Sequence, residues 1–147
     1  ACYPSAVLAL DATITTNMRS ISSEDYFIGM FETALNSNEI ITQITFPIPD
    51  KSAYIKFPNP ASRYAMVGVF MAKTGNKVNV AITGASENGV FRSSEIENAL
   101  SSSCTLESLD TLSISSDGLI SDIHASSNYR ANLIKEMAKR ALKEIIT

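Results

Sequence analysis

The sequence predicts an α+β fold: a three-stranded antiparallel sheet with helices packed on one side. Residues 66–72 form a nearly unbroken apolar run, as expected of a strand buried on both faces. After turn residues at 73–77, apolar positions alternate over 78–82, which is typical of a half-buried strand. A two-stranded hairpin is not stable alone in water, so residues 53–57 are predicted to supply the third strand. The final residues repeat apolar positions every three or four places, which predicts an amphipathic helix.

The elements before this sheet are shorter and can be predicted in chain order. They are a helix over 4–10 with Pro4 in its first turn, strands over 12–16 and 19–22, a helix start at 23–25 continuing to 28 and stopped by Gly29, and a strand over 39–47. Pro47 and Pro49 end that strand, because proline cannot donate to a central ladder.

The elements after the hairpin are predicted to be mainly helical. They are a loop over 84–92, a helix over 95–100 capped by a serine at 93–94, a helix within the serine-rich residues 101–120, and a last helix capped at 126–128. The stripe of the last helix comprises Tyr129, Leu133, Ile134, Met137, Ala141, Leu142 and Ile145. Its basic residues Lys139, Arg140 and Lys143 are interpreted as a solvated face.

Composition narrows the class of protein. The chain has 147 residues, is 45% apolar and 18% charged and carries a net charge of -3, so it can bury a core. Outside the last helix there is no cluster of basic residues, which argues against nucleic-acid binding. No apolar run approaches the roughly 20 residues that a membrane span needs. Two scattered cysteines favour a reducing, cytoplasmic compartment over a disulfide scaffold.

Familiar catalytic motifs are absent from the sequence. It contains no dinucleotide-binding glycine fingerprint, P-loop, zinc-protease motif or nucleophile elbow, and residues 84–89 are interpreted as a turn. One histidine and two cysteines are too few and too scattered for a zinc site. His124, just before a helix, is interpreted as a polar cap rather than a general base. We therefore predict no catalytic residue and no metal ligand in this chain.

Lys56 is open to two interpretations. It lies at a strand end directly before a loop containing Pro58 and Pro60, which favour extended backbone. Most lysines are exposed, and composition alone favours that assignment. A cation fixed at a strand end can instead stabilise negative charge that develops on a bound ligand.

Several segments together resemble a known family. Residues 56–69, KFPNPASRYAMVGV, resemble a signature of the flavin-binding medium subunit of aerobic carbon monoxide dehydrogenase and its xanthine dehydrogenase relatives, the molybdenum hydroxylases. Residues 125–130 resemble the opening of that family's terminal helix. Residues 4–12, 25–29 and 39–44 also match, in the same order. The resemblance covers essentially the whole chain.

The resemblance implies that the chain is the distal part of such a subunit. Residues 1–50 would be the tail of the second flavin-binding subdomain, and residues 51–147 the C-terminal domain. In the family, electrons pass from a molybdenum cofactor through iron–sulfur clusters to FAD and then to an external acceptor. The implied partners are therefore a molybdenum-cofactor large subunit and an iron–sulfur small subunit.

The same resemblance implies the contacts with FAD. The turn Glu39-Ile40-Ile41 would lie beside the isoalloxazine ring, offering backbone groups and apolar contact. Lys56 would lie near the pyrimidine end of the ring, where reduction places negative charge. The family's glycine-rich pyrophosphate loops lie upstream of Pro4, and a ribityl-side aspartate position falls on Ala1. We therefore expect FAD to bind the full-length parent, with this chain alone binding it weakly and inactive.

A different class of function is also compatible with the sequence. The same α+β chain could be a noncatalytic module that docks partner subunits during assembly. The upstream coding sequence discriminates between the two hypotheses, since glycine-rich loops there establish a flavoprotein and an adjacent start codon indicates a module.

Overall fold

The computed structural model describes residues 2–147, so Ala1 and the aspartate position aligned with it lie outside the described residues. Five helices and nine strands follow one another within this range. In chain order they are α1 (Tyr3–Ala9), β1 (Thr13–Thr16), β2 (Ser20–Ser22), α2 (Ser23–Tyr26), β3 (Phe27–Gly29), β4 (Glu32–Thr33), β5 (Ile41–Thr45), β6 (Lys51–Pro58), β7 (Ala65–Thr74), β8 (Lys77–Ser86), β9 (Gly89–Arg92), α3 (Ser94–Ser102), α4 (Leu106–Asp110) and α5 (Ser127–Ile146).

The strands form three antiparallel sheets over residues 2–147. Their orders are β2-β1-β5, β3-β4 and β6-β7-β8-β9. The predicted central hairpin is confirmed, because β7 pairs with β8 from Gly68↔Thr83 to Thr74↔Lys77. The chain reverses at Gly75, whose φ of 57° lies in the left-handed region that glycine tolerates. The α+β class predicted from the sequence is thus confirmed.

Both faces of the four-stranded sheet are covered. Val80 and Ile82 belong to a core cluster with residues of α3, α4 and α5 on one face. Ala81, which points the other way, packs with Leu8 and Ala9 of α1. The predicted helical layer therefore lies on one side, and α1 covers part of the opposite side. This double covering explains the unbroken apolar run of β7.

Helix α5 is the main element of the core. All predicted stripe residues except Tyr129 are buried, and Tyr129 at the first turn is 45% exposed. The predicted cap is confirmed, since the Ser126 hydroxyl accepts a hydrogen bond from the Tyr129 amide at 3.3 Å. Across residues 2–147, no helix combines the length and the apolar composition needed to cross a bilayer.

The predicted loop over residues 84–92 is wrong, and the sheet gains a fourth strand there. Strand β8 continues to Ser86, and after a two-residue turn β9 pairs back along it. Gly84, with a φ of 80°, lies where the pairing register shifts, and Gly89, with a φ of 91°, follows the turn. The two glycines suggested a loop because they interrupt the alternation of apolar residues.

Three local predictions also need correction. The helix expected to reach Ile28 ends at Tyr26, because Phe27 is extended and pairs with Thr33. The side chain of Ser93 makes no capping hydrogen bond to α3. Lys139 is not fully solvated: its side chain is 25% exposed and its amine lies 2.6 Å from the Asp110 carboxylate.

A half-buried ion pair network joins α1 to the larger sheet. The Arg92 side chain, 17% exposed, contacts the Asp11 carboxylate at 2.9 Å and donates to the side-chain oxygen Oδ1 of Asn79 at 2.6 Å. Its Nε donates to Glu97 of α3 at 2.5 Å. The end of α1, two strands and α3 are thereby fixed relative to one another.

Candidate functional site

Glu39 organises the turn that precedes β5. Its side chain is fully buried, and Nε of Arg19 donates to it at 2.9 Å. The carboxylate also accepts hydrogen bonds from the Thr16 hydroxyl at 2.8 Å and from the Asn36 amide at 2.9 Å. A second bond from Arg19, donated by its Nη2 at 3.1 Å, brings the hydrogen bonds to four, which is about the number that a carboxylate can accept. Glu39 therefore holds the turn in place, and its contact with a bound flavin ring stays a prediction.

The residues after Glu39 expose apolar side chains. Ile40 is 69% exposed and Ile41 is 37% exposed. The backbone groups of Ile40 are both bonded to Asn17: its amide donates to the side-chain oxygen at 2.9 Å, and its carbonyl accepts from the amide at 3.0 Å. At Ile40 the turn therefore offers an exposed apolar side chain, and its contact with a bound ring stays a prediction.

Lys56 lies on the larger sheet, opposite Gly68 in the register of β6 and β7. Its Nζ donates to the Arg63 carbonyl oxygen at 3.2 Å and lies 3.8 Å from the Cys2 sulfur. Arg63 has a φ of 62°, and its amide bonds the Asn59 carbonyl at 2.9 Å. The ammonium is therefore fixed against a tight loop while its side chain stays exposed.

A half-buried tyrosine lies beside this lysine, on the same strand. The Tyr54 ring stacks on Phe70 with centroids 6.1 Å apart, and its hydroxyl has no hydrogen-bond partner within residues 2–147. Burial and the nearby Cys2 thiol raise the pKa of Tyr54 well above its ordinary value, so the phenol stays neutral. A side chain at Gly68 would meet this hydroxyl at 2.5 Å, so the glycine provides the space for the ring.

A cleft of about 690 Å³ opens near the same sheet. It lies between the β3–β4 hairpin and the ends of β7, β8 and β9, with Pro4 of α1 on one side. Among residues 2–147, no three histidine, cysteine or acidic side chains converge in a way that could hold a metal ion.

Comparison with known proteins gives relatives along almost the whole chain. The glyceraldehyde dehydrogenase medium chain of Sulfolobus acidocaldarius is 30% identical over 156 residues, which cover 97% of this chain and 56% of that one. The nicotine 6-hydroxylase medium subunit of Paenarthrobacter nicotinovorans is 28% identical over 97% of this chain and 55% of its own. The carbon monoxide dehydrogenase medium chain of Hydrogenophaga pseudoflava is 23% identical over 95% of this chain and 54% of its own.

This chain is related to the medium chains of these oxidoreductases. The resemblance stated from the sequence is thus confirmed, and the chain spans about half the length of the relatives it matches. No protein-family model matches it. The crystal structure of quinoline 2-oxidoreductase from Pseudomonas putida 86 has the same fold, with a TM-score of 0.75 and 22% identity over 95% of this chain and 54% of that one.

In this chain, the four predicted site residues fall into two groups. Glu39, Ile40 and Ile41 lie where the turn leads into β5, in the three-stranded sheet β2-β1-β5. Lys56 lies on the larger sheet and contacts Cys2 and the Arg63 carbonyl. The start of α1 connects the two groups. Cys2 lies against Lys56, and the ring of the next residue, Tyr3, packs against Phe46, which follows β5, with ring centroids 6.0 Å apart.

Sequence reasoning missed the residues that support these groups. Arg19 and Asn17 fix the turn from a hairpin about twenty residues earlier, and Cys2 lies against Lys56 from 54 residues away. A buried carboxylate needs a cationic partner. If Glu39 is taken to be buried, that requirement is the one signal that points to a basic residue such as Arg19.

The Glu39–Arg19 pair makes stability depend on acid pH. The hydrogen bond from Arg19 is the largest cause that lowers the pKa of Glu39, and the hydrogen bond from the Asn36 amide is the second. Together with smaller effects they bring this pKa from 4.5 to about 2. A depressed folded-state pKa gives stability that is complete above the unfolded value of 4.5 and is lost as pH falls toward about 2. We expect Glu39→Gln to flatten the decline in stability over this window.

The measurement is urea unfolding of wild type and variant at several pH values between about 5 and 2.5. Glu144→Gln is the matched control, because Glu144 is exposed on α5. Identical pH slopes for wild type and Glu39→Gln would refute the assigned role of this pair.

Proposed function

We propose that this chain is the distal part of the flavin-bearing medium subunit of a cytoplasmic molybdenum hydroxylase-type oxidoreductase. Residues 1–50 would complete the second flavin-binding subdomain, and residues 51–147 would form the C-terminal domain. The subunit would pass electrons from iron–sulfur clusters through FAD to an external acceptor, beside a molybdenum-cofactor large subunit and an iron–sulfur small subunit. The relatives, all named as medium chains or subunits and matching at least 95% of this chain, support this.

The fixed ammonium of Lys56 is the observation that carries the proposal. An ammonium has three donors, and Lys56 uses one on the Arg63 carbonyl and directs another toward the Cys2 sulfur. The side chain is exposed, so a donor remains for a bound group. Anchoring by a backbone carbonyl holds the charge in one place without neutralising it.

The turn before β5 fits the apolar part of a bound flavin. Ile40 and Ile41 present exposed aliphatic side chains, which can pack against a planar ring. Glu39, bonded to Arg19, fixes where those side chains lie. When bound, FAD would supply reversible uptake of two electrons; the chain's own residues would position the ring and hold positive charge beside it.

Lys56 would set the balance between oxidised and reduced flavin. Reduction places negative charge at the pyrimidine side of the ring, and a nearby ammonium stabilises that charge. If the contact is worth about 1–2 kcal/mol more in the reduced state, Lys56→Met should lower the two-electron potential by roughly 20–45 mV. Methionine keeps much of the side-chain length and removes only the charge.

A spectroscopic redox titration of the flavin-loaded medium subunit at one pH measures this shift. Lys51→Met is the matched control, because Lys51 is exposed on the same strand. Flavin content should stay near that of the wild type. An unchanged potential with normal flavin content would make Lys56 an ordinary exposed strand lysine.

A noncatalytic docking role has its own supporting observation. Ile48 and Ile123 are 93% and 95% exposed, and a partner subunit that docked over either one would bury a large aliphatic side chain. A module of this kind would leave the flavin potential independent of Lys56. The same titration therefore separates the two functions.

A further inference from the structure

One carboxylate ties the end of α1 to the four-stranded sheet. Asp11 accepts hydrogen bonds from three side chains of β8 and β9, which are Nζ of Lys77 at 2.9 Å, Nδ2 of Asn79 at 2.8 Å and Nη1 of Arg92 at 2.9 Å. Two of these donors are cations and form ion pairs with it. Hydrogen bonds are directional, so three donors that converge on one carboxylate hold it within a narrow range of positions.

Both the backbone of Asp11 and its donors are held for this contact. The φ of Asp11 is 49°, in the left-handed region that residues other than glycine seldom adopt. Nδ2 of Asn79 also donates to the carbonyl oxygen of Ala9, the last residue of α1, at 2.9 Å. Arg92 is held in turn by Glu97 of α3 and by Oδ1 of Asn79. A strained residue that meets prearranged donors indicates a position that its surroundings enforce.

Asp11 lies where the chain passes from α1 to the three-stranded sheet. In one direction, α1 leads back over seven residues to Cys2, whose sulfur lies 3.8 Å from Nζ of Lys56. In the other direction, β1 starts two residues later and pairs with β5, where Thr16 lies opposite Ile41. Lys56 and Ile41 belong to the two separate groups of the candidate site. A short helix and a paired strand would therefore transmit a displacement of Asp11 to both groups.

Apolar packing alone does not fix the position of α1. Leu8 and Ala9 of this helix form a small cluster with Ala81 of β8. Such packing is favourable but not directional, so it keeps the helix on the sheet without setting its position along it. The hydrogen bonds to Asp11 supply that direction. Their removal should loosen the placement of α1 while the fold stays intact.

We propose that Asp11 is a positioning residue of the flavin site, which sets the spacing between the Lys56 ammonium and the exposed side chains of Ile40 and Ile41. The inference rests on the proposed function, because this spacing matters only to a ring that touches both groups. Asp11 acts through those residues and does not contact the ring. With its three donors in place, a bound ring meets the charge and the apolar side chains together. Without them, the ring keeps one contact at the expense of the other.

The test is a double-mutant cycle in the flavin-loaded, full-length medium subunit that contains this chain. Asp11→Asn keeps the size of the side chain and a residue type that tolerates a positive φ, and it removes the charge that Lys77 and Arg92 contact. We expect it to weaken flavin binding about tenfold. It should also reduce the shift in flavin potential caused by Lys56→Met to less than about half of the shift seen with Asp11 in place. A residue with only a structural role would leave that shift unchanged.

Asp117→Asn is the matched control, because it makes the same change of side chain at an exposed loop position. It should change neither the flavin affinity nor the Lys56→Met shift. An equal Lys56→Met shift in both backgrounds, or an unchanged flavin affinity in Asp11→Asn, overturns the inference and leaves the proposed function standing. The absence of any Lys56→Met shift with Asp11 in place is instead a failure of the proposed function, and the inference falls with it.

Lys77→Met keeps the test decisive if Asp11→Asn melts early. The Lys77 side chain is 64% exposed, whereas Arg92 and Asn79 are largely buried, so its loss removes one bond to Asp11 without opening the core. The Lys56→Met shift should then fall in the same direction by a smaller fraction. An unchanged shift in a Lys77→Met subunit that melts normally would overturn the inference.

Discussion

Replacing Met137 with aspartate is expected to abolish cooperative folding around α5. Met137 is 1% exposed and packs in the cluster that joins this helix to the larger sheet. Burial of an unpaired carboxylate costs several kcal/mol, against a total stability of roughly 5–15 kcal/mol. Leu133→Asp should act in the same way, since Leu133 lies on the same stripe.

Asn132→Asp is the matched control, because it introduces the same side chain at an exposed position of the same helix. Lys139→Ala removes the ion pairs with Asp110 and Glu136 and is expected to lower the melting temperature much less than either aspartate variant of the buried stripe, because ion pairs near the surface contribute little to stability. Thermal unfolding followed by circular dichroism distinguishes the variants. Equal melting temperatures for Met137→Asp and Asn132→Asp would be incompatible with the observed packing of α5.

Gly84→Ala is expected to be the most damaging single-methyl change in the sheet. An added Cβ would lie 2.2 Å from the Ala65 carbonyl oxygen and 3.1 Å from that of Met66, and both are backbone atoms. The Met66 and Gly84 carbonyls also accept hydrogen bonds from the buried Arg130 guanidinium, at 2.8 and 3.2 Å. Moving β7 away from β8 would disturb these bonds as well, so we expect a loss of about 3–5 kcal/mol.

Gly75→Ala provides the control for backbone strain alone. Gly75 also has a positive φ, of 57°, but an added Cβ there meets nothing within 4 Å. Its cost should therefore be limited to the left-handed penalty of about 1–2 kcal/mol. Urea denaturation with a constant m-value gives both numbers. Similar losses for the two variants would show that close approach at Gly84 does not matter.

Elements with a strong local pattern could be predicted from the sequence. The β7–β8 hairpin follows from an apolar run, a Gly75 turn and a period of two, and α5 follows from its stripe and the Ser126 cap. Strand β9 was missed because it has only four residues, none of them fully buried. Its first residue, Gly89, also belongs to the segment 84–89, whose composition is typical of a turn.

The supporting contacts of the site could not be predicted in the same way. The Arg19–Glu39 pair, the Cys2–Lys56 contact and the burial of Arg130 all join residues that are distant in sequence. Residue patterns report which face a side chain occupies, whereas these pairs depend on how separate elements dock. The position of Lys56 before a proline-rich loop is visible in the sequence, whereas its anchoring on the Arg63 carbonyl depends on how that loop folds.

The most direct test of the account is a crystal structure of the flavin-loaded oxidoreductase that contains this chain. We predict that the Lys56 ammonium lies within hydrogen-bonding distance of the pyrimidine side of the isoalloxazine ring, with Ile40 and Ile41 in van der Waals contact with the ring. A flavin ring bound elsewhere, with Lys56 bonded only to the Arg63 carbonyl and solvent, would contradict the proposed role of this chain.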